Sequence, residues 1–273
     1  MKGKISLAGD LGSGKSTVSR ILIDTLGAEY YSTGSIVRSI ADRMNMTVVE
    51  LNKYMESHPE IDNEIDDGLK ALSNDPRLLV IDSRMAWHFT KGTFKVYLST
   101  DIETSAIRIM SANRKGEHAS TLEETITDTK NRRLSEQKRY SDCYGVDIKD
   151  LTNYDLIVDT TTASPEAVAE KIVEGFRAWQ EENEYKMCYL SPERLSYPDD
   201  EPDTDKLNFY AAALEEGQRI PELTVCEKEG EFFALCEAEI ALAYIINCVE
   251  LLPCKLVKGS SDGKNYVKMK NSL

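Results

Sequence analysis

An α/β fold with a parallel sheet flanked by helices, followed by a second and smaller α+β unit, is what this sequence predicts. Three observations carry that prediction. Strand and helix signals alternate from the start of the chain to about residue 180, the pattern of strands that pair in parallel through helical crossovers. A glycine-rich turn, Gly9-Asp10-Leu11-Gly12-Ser13-Gly14-Lys15-Ser16, joins the first strand signal directly to the first helix signal. An acidic, proline-bearing stretch at 196–205 changes the composition, and shorter strand signals follow it, as expected of a loop at or just inside a domain boundary. The expected units are therefore 1–180 and 181–273.

Each element has a local reason. Lys4-Ile5-Ser6-Leu7-Ala8 is an apolar run of buried-strand length, and Val18, Ile21, Leu22 and Leu26 fall on one face of a helix after it,. Ala28 to Ser32 reads as a short strand. Ile36, Val37, Ile40, Ala41 and Met44 mark the next helix. Thr47-Val48-Val49-Glu50 has the capping-box spacing, and His58-Pro59 ends the helix it opens,. Ile61, Ile65, Leu69 and Leu72 give a further helix, and the turn at Asn74-Asp75-Pro76 leads into the buried strand Leu78 to Asp82. Lys95 to Ser99 is a strand, Ile102 to Ala112 a helix, and Thr121-Leu122-Glu123-Glu124 caps a long charged helix to about Tyr140. Leu156 to Asp159 closes the alternation, with an amphipathic helix from Ser164-Pro165 to Trp179 behind it,. Beyond the acidic loop, Leu223 to Val225 and Phe232 to Leu235 read as strands around Glu229-Gly230. Glu237 to Asn247 reads as an apolar helix and Lys255 to Val257 as a closing strand.

Composition excludes some classes. With 273 residues and 41% hydrophobic content the chain can bury a sizeable core in one or two domains,. A net charge of −14 argues against a nucleic-acid polymer as the partner,. No apolar run reaches membrane-span length, and the first residues lead straight into a strand with no signal peptide,. The six cysteines contain no Cys-x-x-Cys pair, so buried reduced thiols in a cytoplasmic protein are expected,.

The glycine turn fits G-x-x-x-x-G-K-[ST], the phosphate-binding loop, and has the strand and helix that the loop requires,. Glycines let the backbone wrap a polyphosphate so that amides and the helix N-terminus face the anion. ATP is expected against Gly9, Gly12, Ser13, Gly14, Lys15, Ser16 and Thr17. Lys15 would reach the β and γ phosphates, and the Ser16 hydroxyl would ligate Mg²⁺. The acceptor has to be sought in the arginines. Arg84 follows the strand ending at Asp82, at the carboxyl edge where open α/β sheets bind ligands, and Arg38 sits just after Ser32-Thr33-Gly34,. Arg132 and Arg139 are two turns apart on one face of the charged helix,, placed to stabilise a moving phosphoryl group. Arg133 and Lys138, on the same helix, are expected in surface salt bridges. Asp82 is either an outer Mg²⁺ partner or a strand-end cap. His58, His88 and His118 share no metal-ligand spacing and are expected to pack or face solvent.

Residues 2 to about 178 resemble a cytidylate kinase of the short, archaeal type, in the nucleoside monophosphate kinase group. The resemblance rests on Gly12 to Thr17, Ser32 to Arg38, His58 to Asp66, Glu136 to Tyr140, Tyr144 to Ile148 and Asn153 to Val158. It implies ATP-dependent phosphorylation of CMP or dCMP. The position of Thr33 would lie against the incoming nucleotide, those of Arg38 and Arg84 would hold its phosphate, and those of Arg132 and Arg139 would belong to the lid. Two departures stand out: Ser83 occupies a usual glycine position, and Asp10 puts a negative charge inside the phosphate loop. That charge weakens ATP binding unless it points outward or holds Mg²⁺ through water. A kinase for another small acceptor and a non-catalytic nucleotide sensor are the alternatives.

Residues 187–257 resemble, more weakly, a ParB/sulfiredoxin-like domain through Tyr189 to Leu195, Arg219 to Val225, the hairpin from Glu227 to Leu235, and Leu252 to Val257. The place of that family's phosphate-binding run holds Cys236-Glu237-Ala238-Glu239-Ile240, which carries no arginine. A regulatory or interaction role, with homo-oligomer formation through this unit as one option, is expected in place of chemistry.

Overall fold

In the computed structural model, which describes residues 3–55, 57–112, 121–182, 185–258 and 266–268, β1 (Lys4–Gly9) is buried along all six residues. Burial on both faces is what a central parallel strand roofed by helices requires. Helix α1 (Lys15–Leu26), β2 (Glu29–Ser32), α2 (Thr33–Arg43), α3 (Val48–Met55) and α4 (Pro59–Ala71) follow. The capping box at Thr47 forms, with the Glu50 amide donating to Thr47 Oγ1 at 3.1 Å and the Thr47 amide to Glu50 Oε2 at 2.7 Å. His58 is the N-cap of α4 and Pro59 falls in its first turn, where a missing amide removes no helical bond. Then come β3 (Leu79–Asp82), the short α5 (Ala86–Phe89), β4 (Thr93–Ser99), α6 (Ile102–Ser111), α7 (Leu122–Tyr144), β5 (Leu156–Asp159) and α8 (Pro165–Glu182). His118 lies outside the described residues.

These five strands lie in the order β2-β3-β1-β4-β5, every pair parallel. Chain order reverses at β1, and the crevice beyond the carboxyl ends at such a reversal is where open α/β sheets take ligands. On one face Ile5, Leu7 and Val96 pack against Leu22 of α1 and Ile172 of α8. A separate cluster of Ile40, Leu51, Met55, Ile61 and Ile65 joins α2, α3 and α4.

The remaining elements are β6 (Met187–Leu190), β7 (Leu195–Pro198), α9 (Thr204–Glu215), β8 (Leu223–Lys228), β9 (Glu231–Ala234), α10 (Ala238–Ile246), β10 (Leu252–Leu256) and β11 (Tyr266–Lys268). Their strands continue the same sheet. β6 pairs in parallel with β5, and the described strands run β11-β7-β9-β8-β10-β6-β5-β4-β1-β3-β2. One apolar core crosses the junction: Tyr97, Tyr154 and Ile157 share it with Leu190, Phe232 and Leu252. Beside it Arg194, 4% exposed, sets Nε 3.8 Å from Oδ1 of the fully buried Asp159. The same guanidinium meets Glu231 at 2.8 Å and donates to the Gly230 carbonyl.

Three expectations need correction. The start of the expected acidic loop is the strand β7, because Leu195 and Tyr197 are core residues and the segment pairs with β9 and β11. β10 begins at Leu252, earlier than expected; its pairing with β8 starts at Cys254, one residue past Pro253, so the proline interrupts no bond on that side. The six cysteines form no disulfide, but Cys143, Cys236 and Cys248 are exposed and only Cys188, Cys226 and Cys254 are buried. Helix α9, absent from the expected elements, is capped by Asp203, whose side chain accepts from the amides of Asp205 and Lys206. Among the described residues no helix is long and apolar enough to cross a membrane.

Candidate active site

The glycine turn has the backbone that its glycines permit. Gly9, Gly12 and Gly14 have φ of 148°, 72° and 76°, values that disfavour a side chain. A Cβ on Gly9 would stand 2.4 Å from the Leu98 carbonyl oxygen, and one on Gly12 would stand 2.6 Å from that of Ser105. Gly14 is the N-cap of α1 and offers no side chain to its first amides. Those amides have no intrahelical acceptor, which together with the helix dipole makes an anion site. The turn is also braced from α6. Ser105 Oγ donates to the Leu11 carbonyl, while Arg108 Nη1 reaches the Gly12 carbonyl at 3.5 Å and its Nη2 the Thr160 carbonyl at 2.7 Å.

Two cations converge on one oxygen at the end of β1. Lys15 Nζ donates to the Gly9 carbonyl at 3.2 Å and to that of Asp10 at 2.8 Å, and Arg84 Nη1 donates to the same Gly9 carbonyl at 2.8 Å. Burial and the neighbouring Arg84 bring the Lys15 ammonium down to about 8, against the pull of Asp82, Asp10 and Glu136. Arg84 Nε also pairs with Glu136 of α7 at 2.7 Å. Burial works against the Arg84 charge, Glu136 works for it, and the balance is upward. Glu136 reaches Arg132 as well, at 3.3 Å.

Asp10 turns out of the loop. Its carboxylate accepts from Tyr97 Oη at 2.9 Å, from the Thr100 amide at 3.1 Å and from Lys149 Nζ, with Arg133 Nε 3.9 Å away. Burial opposes its charge, but Lys149 and Arg133 outweigh burial and hold the carboxyl at about 2. Arg133 therefore corrects the surface expectation. It is 18% exposed and also donates to Ser105 Oγ at 3.1 Å, because its place on α7 faces the turn. Lys138 does pair on the surface, with Asp142 at 2.9 Å.

The remaining predicted residues surround this centre. Asp82 Oδ2 accepts from Tyr30 Oη at 2.9 Å, and Thr33 Oγ1 lies 3.5 Å from the Asp82 carbonyl. Arg38 is exposed and donates to Ser35 Oγ at 3.1 Å. On α7, Arg139 is partly buried over the Tyr140 ring, 5.0 Å from its centroid, with Asp62 of α4 at 3.9 Å. Tyr140 is flanked by both Arg139 and Arg84. Arg132 stands farther out, 44% exposed. Lys15, Arg84 and Asp82 are thus gathered at the carboxyl edge of β1 and β3, Arg139 borders them, and Arg38 and Arg132 lie at the rim. Ser16 and Thr17 are exposed in the first turn of α1. Sequence reasoning missed Arg108, Glu136, Arg133, Tyr97 and Lys149 as parts of this site. The one available signal was the Asp10 charge itself, which demands a cation nearby.

The donor set also bears on a metal. Among the described residues there is no cluster of three or more His, Cys, Asp or Glu that would cage an ion. A hydroxyl at the helix start with a single carboxylate nearby suits Mg²⁺, which keeps most of its waters and takes the rest of its ligands from phosphates. Ser16 is exposed at that helix start, and Asp82 is a carboxylate whose charge acts on the adjacent Lys15, so the two have the chemistry such a site needs.

Comparison with known proteins identifies the family. The cytidylate kinase-like family matches residues 4–162. A cytidylate kinase from Thermoplasma volcanium is 37% identical over 174 residues, covering 61% of this chain and 87% of the relative. One from Haloarcula marismortui is 37% identical over 166 residues, covering 60% and 84%. An S-adenosylmethionine-dependent nucleotide dehydratase from Lacinutrix mariniflava is 36% identical over 178 residues, 65% of this chain, and the chain spans only 36% of that relative's length. With more than half of its length matched, the chain belongs to the cytidylate kinase-like family, whose kinases use ATP and Mg²⁺ on small nucleotide substrates.

Proposed function

We propose that the chain transfers the γ-phosphoryl group of ATP to a nucleoside monophosphate, CMP or dCMP, to give the diphosphate and ADP. The observation that carries this reading is the meeting of Lys15 and Arg84 on the Gly9 carbonyl oxygen. A cation from the triphosphate side and one from the acceptor side then border the same crevice. An oxygen of the acceptor phosphate attacks the γ phosphorus, and the bond from that phosphorus to the β–γ bridging oxygen breaks. No general base is required, because the attacking oxygen is already anionic. Catalysis is then positioning and charge stabilisation. Lys15 and the amides of the turn hold the donor. Thr33, Arg38 and Arg84 hold the acceptor, with Arg84 exchanging Glu136 for phosphate. Arg139 and Arg132 approach from α7 as the lid and exclude water. Ser16 and Asp82 would hold Mg²⁺, which neutralises phosphate charge when bound.

The C-terminal strands act in this proposal as a regulatory or interaction unit. Glu237 and Glu239, at the place of the absent phosphate-binding run, are spent on α9. Lys206 lies 3.8 Å from Glu237, and the Asp203 amide donates to Glu239 at 2.8 Å. An ADP-release screen over the common nucleoside monophosphates tests the reading. CMP or dCMP should give the highest kcat/KM, and a higher value for another monophosphate would refute the assigned base.

A further inference from the structure

The unusual carboxylate in the phosphate loop has a built counter-charge. Lys149 lies in the turn between α7 and β5, 139 residues from Asp10, and its Nζ donates both to Asp10 Oδ1 and to Tyr97 Oη, the latter at 2.9 Å. The Tyr97 hydroxyl in turn donates to Asp10 at 2.9 Å, and the Thr100 amide fixes the second carboxylate oxygen at 3.1 Å. Asp10 is 5% exposed, so its charge has little water to screen it,. Its main-chain carbonyl, meanwhile, accepts from Lys15 at 2.8 Å. One residue thus faces two ways: its carbonyl toward the phosphate-binding lysine, its side chain toward Lys149. The turn carrying Lys149 is tied to α7, because Asp147 Oδ1 accepts from Gln137 Nε2 and from the Lys149 amide, both at 2.9 Å.

We propose that Lys149 is a positioning residue for the donor nucleotide: it neutralises Asp10 and holds that side chain away from the phosphates, so that the loop presents only amides and Lys15 to the triphosphate. The proposal rests on the kinase reading for its ligand. Without the ammonium, a buried anion faces a polyanion across one residue of backbone, and among the described residues Arg133, whose Nε is 3.9 Å away, is the cation left within ion-pair distance of it. A merely structural Lys149 would matter for packing whatever the charge at position 10; a neutralising one matters only while Asp10 is charged.

The test measures Kd for a fluorescent ATP analogue with Mg²⁺, and separately for CMP, on the full chain. Lys149→Met should weaken the ATP analogue at least tenfold and leave CMP within twofold. Adding Asp10→Asn should restore the analogue to within threefold of the native chain. Lys149→Arg, which keeps the charge, should also stay within threefold, and it keeps the question answerable if Lys149→Met does not fold. An unchanged Kd in Lys149→Met, an equal loss of CMP affinity, a double variant no better than the single one, or a tenfold loss in Lys149→Arg would each overturn the proposal. A native chain that binds the analogue but transfers no phosphoryl group would refute the kinase reading and leave this test valid. One that binds no triphosphate refutes both.

Discussion

Replacing Arg194 with methionine tests whether the C-terminal strands are bound into the same folded body as the phosphate loop. The side chain is 3% exposed and faces Asp159, which is 0% exposed. Methionine keeps much of the length but removes the charge and the bonds to Glu231 and Gly230. Breaking one partner out of a buried pair costs about 4 kcal/mol, because the other charge stays buried without its counter-ion; Asp159 would keep the Thr161 Oγ1 hydrogen bond at 2.8 Å but lose its guanidinium. For a chain of this size that lowers Tm by roughly 10 °C. The loss should also depend on pH. Burial already raises the Asp159 carboxyl, and Arg194 opposes that rise. Without Arg194 the folded-state value climbs further, so the variant retains a proton that the unfolded chain releases. Its stability therefore falls as pH rises above the unfolded carboxylate range, and the gap to the native chain should widen from pH 5 to pH 8. Thermal melts at those two pH values decide it, with Asp159→Asn added to Arg194→Met expected to narrow the gap at pH 8. A Tm loss under 2 °C, or a gap independent of pH, would refute the reasoning.

Other outcomes follow from the same geometry. Arg84→Ala should raise KM for CMP at least thirtyfold, since the residue is placed on the acceptor side, while Kd for ATP stays within threefold. Arg139→Ala should lower kcat by at least tenfold with little change in either KM, the signature of an interaction made mainly in the transition state; steady-state kinetics measure both. The Asp10 carboxyl, held at about 2 against an ordinary value of 3.8, contributes stability above the ordinary value that is lost as pH falls through the lowered one. Unfolding free energy should drop by about 2 kcal/mol between pH 5 and pH 1 from this group, and urea titrations of Asp10→Asn should lack that component. Lys15→Ala should abolish binding of the fluorescent ATP analogue without lowering Tm by more than a few degrees.

Local signals were legible and long-range ones were not. The glycine turn, the run from Leu79 to Asp82 and the capping boxes at Thr47 and Thr121 each write their structure within a few residues, and each forms. Arg84 was legible because a residue just past a parallel strand has few places to point. Arg133 was not, since its neighbours on α7 supply charges of both signs and only the fold turns it toward Asp10. Nothing near Asp10 in sequence indicates Lys149, whose proximity depends on the pairing of β1 with β4 and β4 with β5. The strand at Leu195–Pro198 was hidden for a similar reason: its proline and acidic followers resemble a loop, and its partners, β9 and β11, come later in the chain. Continuity of the sheet through β5 and β6 likewise has no local signature.

Everything returns to a cradle for a triphosphate and a guanidinium beside it for a second phosphate. Incubating the full chain with ATP labelled at the γ phosphorus, Mg²⁺ and CMP, and then separating the nucleotides, examines that directly. The account predicts label in CDP, formed in step with ADP and absent from Lys15→Ala. Label that remains in ATP, or appears only as inorganic phosphate, would contradict it.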